Sequence, residues 1–408
     1  MSYLSIDSLE EGHILDEDVH DINGRLLLSR GQEIESKHIR IFKIWGVAEV
    51  NIANDTDAQI TDTADIDSTK MACVVETVRP LFQNVDLNHP AMGLICRCAI
   101  EHRYENNILQ PAGKTEPIGK SLTVDLNFKD VQRKLQHSEI KLPEAPALVI
   151  ELNAVMADPH ASASDVARIV RRSPSLTALI LKIVNSAAIG LPTKVDSIPR
   201  AVSLLGTREI SSLAIGISVM QSFSDIPASL IDMTAFLMHS LSCATITRIM
   251  AALANIRNTE QLFISGLLHD IGKLILFKYF PEHAQQLLEI QKSEASGRSL
   301  LDIEKKVLGI THARTAKLLL KKWNFPESLQ DNIVCHHRPS SAHTPAEAAI
   351  IQMGDIIAHG TGFGSSGERI IPSFDEKAWE QVGLSANTIK MAIRQAVHQL
   401  KTIESVIS

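Results

Sequence analysis

"LLHDIGKLIL" (residues 267–276) sets an imidazole, a carboxylate and an ammonium, those of His269, Asp270 and Lys273, into an apolar helix-like run. An ionised group held away from water carries a large desolvation penalty, so groups placed this way are paired, neutralised or bound to a metal. Lys273 follows Asp270 by three residues, a spacing that puts two side chains on one helix face and within reach of a salt bridge. The stretch therefore reads as a metal site or as a buried hydrogen-bond network. Either reading needs partners from elsewhere in the chain.

Other helical stretches offer them. His239 follows "AFLM" (235–238), and His312 opens "HARTAKLLL" (312–320). His336 and His337 end "ESLQDNIVCHH" (327–337), and Asp355 lies within "AAIIQMGDIIA" (348–358). Imidazole nitrogens combined with carboxylate oxygens suit Zn, Mn, Fe or Ni, and such ions activate water against phosphate esters. No local spacing among these residues proves a site, but helical metal sites collect their ligands from facing helices. A lone histidine in a helix is more often a packed or satisfied core residue. His160, His283, His343, His359 and His398 are read that way.

Composition bounds the alternatives. With 408 residues, 45% apolar and 21% charged, the chain has room for two or three domains with cores of their own. Forty basic against 47 acidic residues give a net charge of −7, which opposes non-specific attraction to nucleic acid or anionic lipid. The five cysteines are odd in number and scattered, without a disulfide framework or a C-x-x-C half-site. No run approaches about 18 uninterrupted apolar residues. The expectation is a reduced, cytoplasmic protein with no membrane span and no direct nucleic-acid binding.

Three segments follow from the patterning. Residues 1–55 read as a small α/β module: a hairpin across Asn23-Gly24, a helix over 35–45 stopped by Gly46, and a closing strand in "AEVNI" (48–52). Residues 56–137 read as an acidic linker and a helical connector, with helices near 71–82 and 91–104 and one strand at 121–128. From 138 to 408 the pattern is all-α. Ser173-Pro174 has the form of an N-cap followed by proline, and Thr344 to Glu347 has the spacing of a capping box. The fold class is mainly α.

Several of these motifs, in order, resemble the HDOD domain, a relative of the HD phosphohydrolases. They are "LPEAPALVIELNAVMADPHAS" (142–162), "PSLTALILKIVNSAAIGL" (174–191), "SIPRAVSLLGTREISSL" (197–213), "HS" (239–240), "GLLHDIGKLIL" (266–276), "HARTAKLLLKKWNFPESL" (312–329), "HH" (336–337) and "MGDIIA" (353–358). "DVHDINGRLLLSRGQEI" (18–34) with "KHIRIFKIWGVAEVNI" (37–52) also resembles the module that often precedes HDOD and HD-GYP domains. The resemblance implies an all-helical HD-phosphohydrolase-like domain with His239, His269, Asp270 and Asp355 as ligands of a divalent transition metal (Fe, Mn, Zn or Ni). His312, His336 and His337 would stand as the further histidines of the HD-GYP type, and Lys273, with Asp270, would take any catalytic role.

One departure matters. Arg338-Pro339-Ser340-Ser341-Ala342 follows the histidine pair, where HD-GYP phosphodiesterases continue with Glu and then Asp-Gly-x-Gly-Tyr-Pro. The signature of cyclic-di-GMP hydrolysis is therefore absent. HDOD proteins are regarded as signalling or output modules, so the expected function is a bacterial-type regulator that binds a signalling protein or a nucleotide-like ligand. The alternative is a metal-dependent phosphohydrolase acting on a nucleotide or cyclic nucleotide.

Overall fold

The computed structural model describes residues 2–6, 9–20, 26–44, 47, 49–53, 68–109, 129–136, 140–158, 160, 162–185, 194–293 and 297–407. The N-terminal module contains β1 (Ser2–Ser5), β2 (Val19–His20), β3 (Leu26–Leu28), α1 (Ser36–Ile44) and β4 (Glu49–Ile52). The hairpin forms with Val19 opposite Leu28 and His20 opposite Leu26, with a register shift between them. Its Asn23-Gly24 turn, Trp45 and Gly46 lie outside the described residues, as do the acidic segment 54–67 and the strand expected at 121–128. Strand β4 closes the module by pairing antiparallel with β1, which the sequence reading did not anticipate. Ile6, Leu15, Ile34, Phe42 and Val50 form a core separate from that of the helices.

The rest of the described chain is helical. It begins with α2 (Ser68–Val78), a 3-10 turn at Arg79–Phe82, α3 (Pro90–Glu105) and α4 (Lys129–Gln136). Then follow α5 (Ala147–Ala157), α6 (Ala163–Val170), α7 (Pro174–Val184), α8 (Ile198–Leu205) and α9 (Thr207–Gln221). The site-bearing part comprises α10 (Met233–Leu253), α11 (Thr259–Leu268), α12 (Ile271–Tyr279), α13 (Pro281–Ser293), α14 (Leu300–Val307), α15 (His312–Lys322) and α16 (Glu327–Cys335). Helices α17 (Pro345–Thr361), α18 (Glu376–Glu380) and α19 (Ala386–Ile407) end it.

Local chemistry sets several of these boundaries. Ser173 caps α7 by accepting from the Leu176 amide at 3.4 Å. Asp232 caps α10 by accepting from Thr234 and Ala235 at 2.8 and 3.1 Å. At α17 the helix begins as expected, but the Thr344 hydroxyl lies 3.2 Å from the Glu347 carboxylate instead of capping a backbone amide. The capping box forms at Ser162 and Asp165, ahead of α6.

Helix α10 is the axis of the domain, packed between α11, α17 and α19. It alone among the described helices is long and apolar enough to cross a membrane by length and composition, and it is buried as a core helix. The connector helices join the same core through Val74, Val78, Ile95 and Ala99, with α3 against α17 and α19. From α3, Arg103 donates Nε to the Gly360 carbonyl at 2.7 Å and Nη2 to that of His359 at 3.0 Å. A cation is thereby fixed on the C-terminal carbonyls of α17, where the helix dipole favours it.

Candidate metal centre

Helix ends carry the polar groups of the opening stretch. His269 follows the last residue of α11 and Asp270 precedes the first of α12, so the stretch is a break between two helices. Two glycines then permit the close approaches that gather the cluster. A Cβ at Gly272 would collide with the His312 carbonyl, and one at Gly354 with Thr247 and the Cys243 carbonyl. Thus α12 can abut the start of α15, and α17 can lie on α10 with Asp355 beside His239.

All seven residues expected as metal ligands come together. His239 Nε2 lies 3.2 Å from Asp355 Oδ1 and 3.8 Å from Asp270 Oδ2. His269 Nε2 lies 3.3 Å from Asp270 Oδ2 and 3.4 Å from Asp355 Oδ1. On the other side, His312 Nε2 is 3.3 Å from Asp270 Oδ1 and 2.8 Å from His337 Nε2. The His336 and His337 rings lie against each other at a tilt of 44°, with centroids 3.8 Å apart. Two sets of donor atoms result, each lying within 4.8 Å of one another: His239, His269, Asp270 and Asp355, and Asp270, His312, His336 and His337. Asp270 belongs to both.

The histidines are oriented from behind. His269 Nδ1 meets the Gly266 carbonyl at 2.7 Å, and His336 Nδ1 meets that of Ile333 at 2.6 Å. His312 Nδ1 meets Glu304 Oε2 at 2.7 Å, and the same oxygen accepts from the His312 amide at 2.8 Å. These acceptors require the proton on Nδ1, so each Nε2 is directed into the cluster. Nε2 of His269, His336 and His239, together with Asp270 Oδ1, are buried without a hydrogen-bond partner. A carbonyl or carboxylate behind His269, His312 and His336 and a lone pair ahead of each is how proteins hold metal-ligating histidine, whereas Nδ1 of His239 has no such acceptor. The donor set fits a divalent transition metal.

Electrostatics agree with that fit. Burial lowers His239 to about 4, with Asp355 opposing, and burial with the nearby His269 and His312 lowers His336 to about 3. Both are neutral, as ligation demands. Burial alone would raise Asp270, yet Lys273 and His269 hold it well below the usual carboxylate range. Burial likewise opposes the His269 imidazolium, but Cys243, Asp270 and Asp355 raise it well above its ordinary value. Two carboxylates that hold a proton on Nε2 this firmly could hold a metal cation in its place.

Lys273 Nζ donates to Asp270 Oδ2 at 2.7 Å and to Ser366 Oγ at 3.0 Å. Its reading as a salt-bridge partner is what the structure places there, and Ser366 adds a second acceptor. One assignment needs correction. His359, read as a packed core residue, reaches Asp355 Oδ1 with Nδ1 at 3.0 Å, and its ring lies 4.6 Å from that of His239. Its position four residues after Asp355 carried that signal. Glu304 was also missed, because "IEKKV" (303–307) reads as a solvated charged face although Glu304 is buried. His160, His283, His343 and His398 lie outside the cluster. After the histidine pair, Pro339–Ser341 forms a 3-10 turn pinned by Asp375, which accepts from the Ser340 amide at 2.9 Å.

A helical core built around an HD-type pair, with further histidines from three other helices, defines an HD-like helical domain. The HDOD domain family matches residues 142–339, and the chain carries an HDOD domain there. A solved HDOD domain protein of unknown function from Geobacter sulfurreducens is similar at TM-score 0.53 and 20% identity, covering 68% of this chain and 96% of its own. A Marinobacter aquaeolei structure whose description proposes a signal transduction protein gives 0.53 and 21%, covering 70% and 67%. A Shewanella amazonensis structure whose description proposes a phosphohydrolase gives 0.52 and 22%, covering 67% and 97%. At these identities the likeness is one of fold. An uncharacterised Treponema pallidum protein is 27% identical over 212 residues, which span 50% of this chain and 39% of that relative.

Proposed function

We propose that this chain is a signal-transduction regulator of bacterial type, whose HDOD domain holds a divalent transition metal in the His/Asp cluster and works by binding rather than by turnover. The observation that carries this is the combination of a complete donor set with its burial. His239, His269, His312 and His336 are 0% exposed and Asp270 is 1% exposed. Ser366 closes over Lys273, the group best placed to meet a phosphate. His359 lines a neighbouring cleft of about 420 Å3, but none of the seven expected ligands does.

In this reading His239, His269, Asp270 and Asp355 hold one ion, and Asp270, His312, His336 and His337 can hold a second. Glu304 and the Gly266 and Ile333 carbonyls fix the imidazoles. The partner is a signalling protein or a nucleotide-like ligand. The phosphohydrolase reading keeps one observation in its favour, the Lys273 ammonium 2.7 Å from the shared Asp270. A bound divalent ion would there supply Lewis acidity toward a phosphoryl oxygen, and Lys273 would neutralise charge on the phosphoryl group.

The test is elemental analysis of protein purified without chelator, together with assays on bis(p-nitrophenyl) phosphate and cyclic dinucleotides. Bound Mn, Fe, Zn or Ni without turnover is the expected result. Hydrolysis that disappears in Asp270→Asn would overturn the non-enzymatic reading. Protein that stays folded and takes up no metal would overturn the metal.

A further inference from the structure

After α17 the chain runs as "GSSG", residues 364–367, along the start of α10 and between the cluster and the cleft of about 420 Å3. Its residues alternate in what they face. Gly364, Ser365 and Gly367 line the cleft, whereas Ser366 is 0% exposed and turns inward to accept from Lys273 Nζ at 3.0 Å. The strap is therefore a single layer of backbone between the cleft and the lysine that holds Asp270. His359 continues the same wall, lining the cleft while its Nδ1 meets Asp355 Oδ1 at 3.0 Å.

The ends of the strap are anchored more firmly than its middle. On one side Phe363 is buried, its ring against that of His102 with centroids 4.9 Å apart. On the other, buried Glu368 accepts from the Leu300, Arg369 and Ile370 amides at 2.9, 2.9 and 3.2 Å. Between these anchors the Ser365 amide donates to the Ala235 carbonyl at 2.9 Å, and Ser366 takes its bond from Lys273. Ser365 Oγ accepts from the Gly367 amide at 3.2 Å, a bond within the strap that moves with it. A segment held by so few bonds opens locally at less cost than the core around it. Gly364 and Gly367, at φ +73° and +87°, bound the stretch and can absorb a backbone rotation. Gly364 also lets the strap lie on α10, since a Cβ there would collide with the Ala235 carbonyl and the His239 amide.

We propose that Gly364–Gly367 is a gate, and that a divalent cation passes between the cleft and the His/Asp cluster when it swings outward. The proposal rests on the reading of the cluster as a metal centre and adds the entry path that an enclosed centre needs. Closed, the strap helps to keep water from Lys273 and Asp270, which are 2% and 1% exposed. Open, it frees the ammonium from Ser366 and uncovers His239 and Asp355 on the side where His359 touches both. The gate contributes no ligand, so changing it alters the rate of metal exchange more than the affinity.

Thiol labelling tests the motion without metal. In the chelated full chain carrying Ser366→Cys, iodoacetamide modification is followed residue by residue by mass spectrometry. The introduced thiol should react at least about tenfold faster than Cys243, which is buried on α10 in the same core. Equal rates would mean that the position opens only with the core, and would overturn the gate. Hydrogen exchange in the wild type makes the same comparison without a substitution: protection of the 364–367 amides equal to that of α10 also overturns it. Release of zinc from the loaded chain to excess chelator then tests the route. Ser366→Ala should speed release about fivefold, and Gly364→Ala, whose Cβ cannot lie against α10, should speed it more. Unchanged release in both variants overturns the route even where labelling shows the strap opening. A chain that takes up no zinc overturns the metal reading and the route with it, while the labelling rates still decide whether the strap opens.

Discussion

The two halves of the cluster share Asp270 and differ in almost everything else. One sets two carboxylates, Asp270 and Asp355, against His239 and His269; the other sets a single carboxylate against His312, His336 and His337. In the first half Cys243 and the two carboxylates favour a proton on His269, while both ring nitrogens of His239 stay buried without a hydrogen-bond partner. In the second, burial keeps His336 and His337 below their ordinary values, and two Nε2 atoms face each other at 2.8 Å. His337 and His312 can share one proton across that contact, and His336 Nε2 is left without a partner. The lesson is that both halves leave buried imidazole nitrogens for a cation to satisfy, and that they differ in the charge set around it. The first set is richer in oxygen and the second in nitrogen, so they should prefer different ions.

The largest effect should come from the residue the halves share. Asp270→Asn keeps the shape but leaves the buried Lys273 ammonium without its carboxylate, a loss of about 3–5 kcal/mol in the metal-free protein. The double variant Asp270→Asn, Lys273→Met removes both buried charges and should recover much of that loss in chemical denaturation of chelated protein. It should not recover metal binding. A double variant no more stable than the single one would show that the ion pair is not what Asp270 contributes.

Acid should separate the halves next. In the unfolded chain these imidazoles titrate near about 6.5. Folded His239 and His336 do so only at about 4 and about 3. Between those limits the unfolded chain binds protons that the folded one refuses, so stability is full above about pH 6.5 and falls as pH drops. His269 is raised, so its contribution has the opposite sign, present below about 6.5 and lost as pH rises through its folded value. Thermal denaturation of chelated protein from about pH 8 to about pH 4.5 should show the acid fall, and His336→Gln should flatten it. An unchanged slope in that variant would place the acid sensitivity elsewhere.

What the sequence discloses and what it hides follow the same physics. The His-Asp pair was legible because two polar groups in an apolar run need partners; that Gly272 and Gly354 sit where helices touch emerged only from the packing. The hairpin strands were legible from the Asn23-Gly24 pair between them, whereas the pairing of β1 with β4 was not, because it joins the two ends of the module. Glu304 was hidden by its charged neighbours, although its own side chain is buried. The cleft was hidden more completely. Arg103, Gln291 and His359 stand far apart in sequence, and each looks ordinary in its own helix.

Glu304 gives a smaller effect confined to one half. Its carboxylate fixes the His312 tautomer and nothing on the Asp355 side. Glu304→Gln should weaken metal binding in the nitrogen-rich half by about 10–100-fold, the usual scale for such supports. Competitive chelator titration should show one phase moving and the other staying. If both phases moved together, the halves would be one coupled site and the comparison would fail.

The smallest effect should come from Ser366, which lies outside both donor sets and accepts a hydrogen bond from Lys273. Ser366→Ala removes one acceptor while Asp270 Oδ2 continues to hold the ammonium at 2.7 Å. The expected loss is about 1 kcal/mol in denaturation, with the metal content of both halves unchanged. The hydroxyl also sits where a phosphoryl oxygen would have to lie to meet Lys273, so the variant asks whether that contact alone keeps the cluster from substrate. If a buried, binding-only centre is the right description, Ser366→Ala remains inactive on bis(p-nitrophenyl) phosphate, because the imidazoles and carboxylates behind it stay enclosed. Turnover that emerges in Ser366→Ala and vanishes on adding Asp270→Asn would mean that one hydroxyl had been holding an enzyme shut.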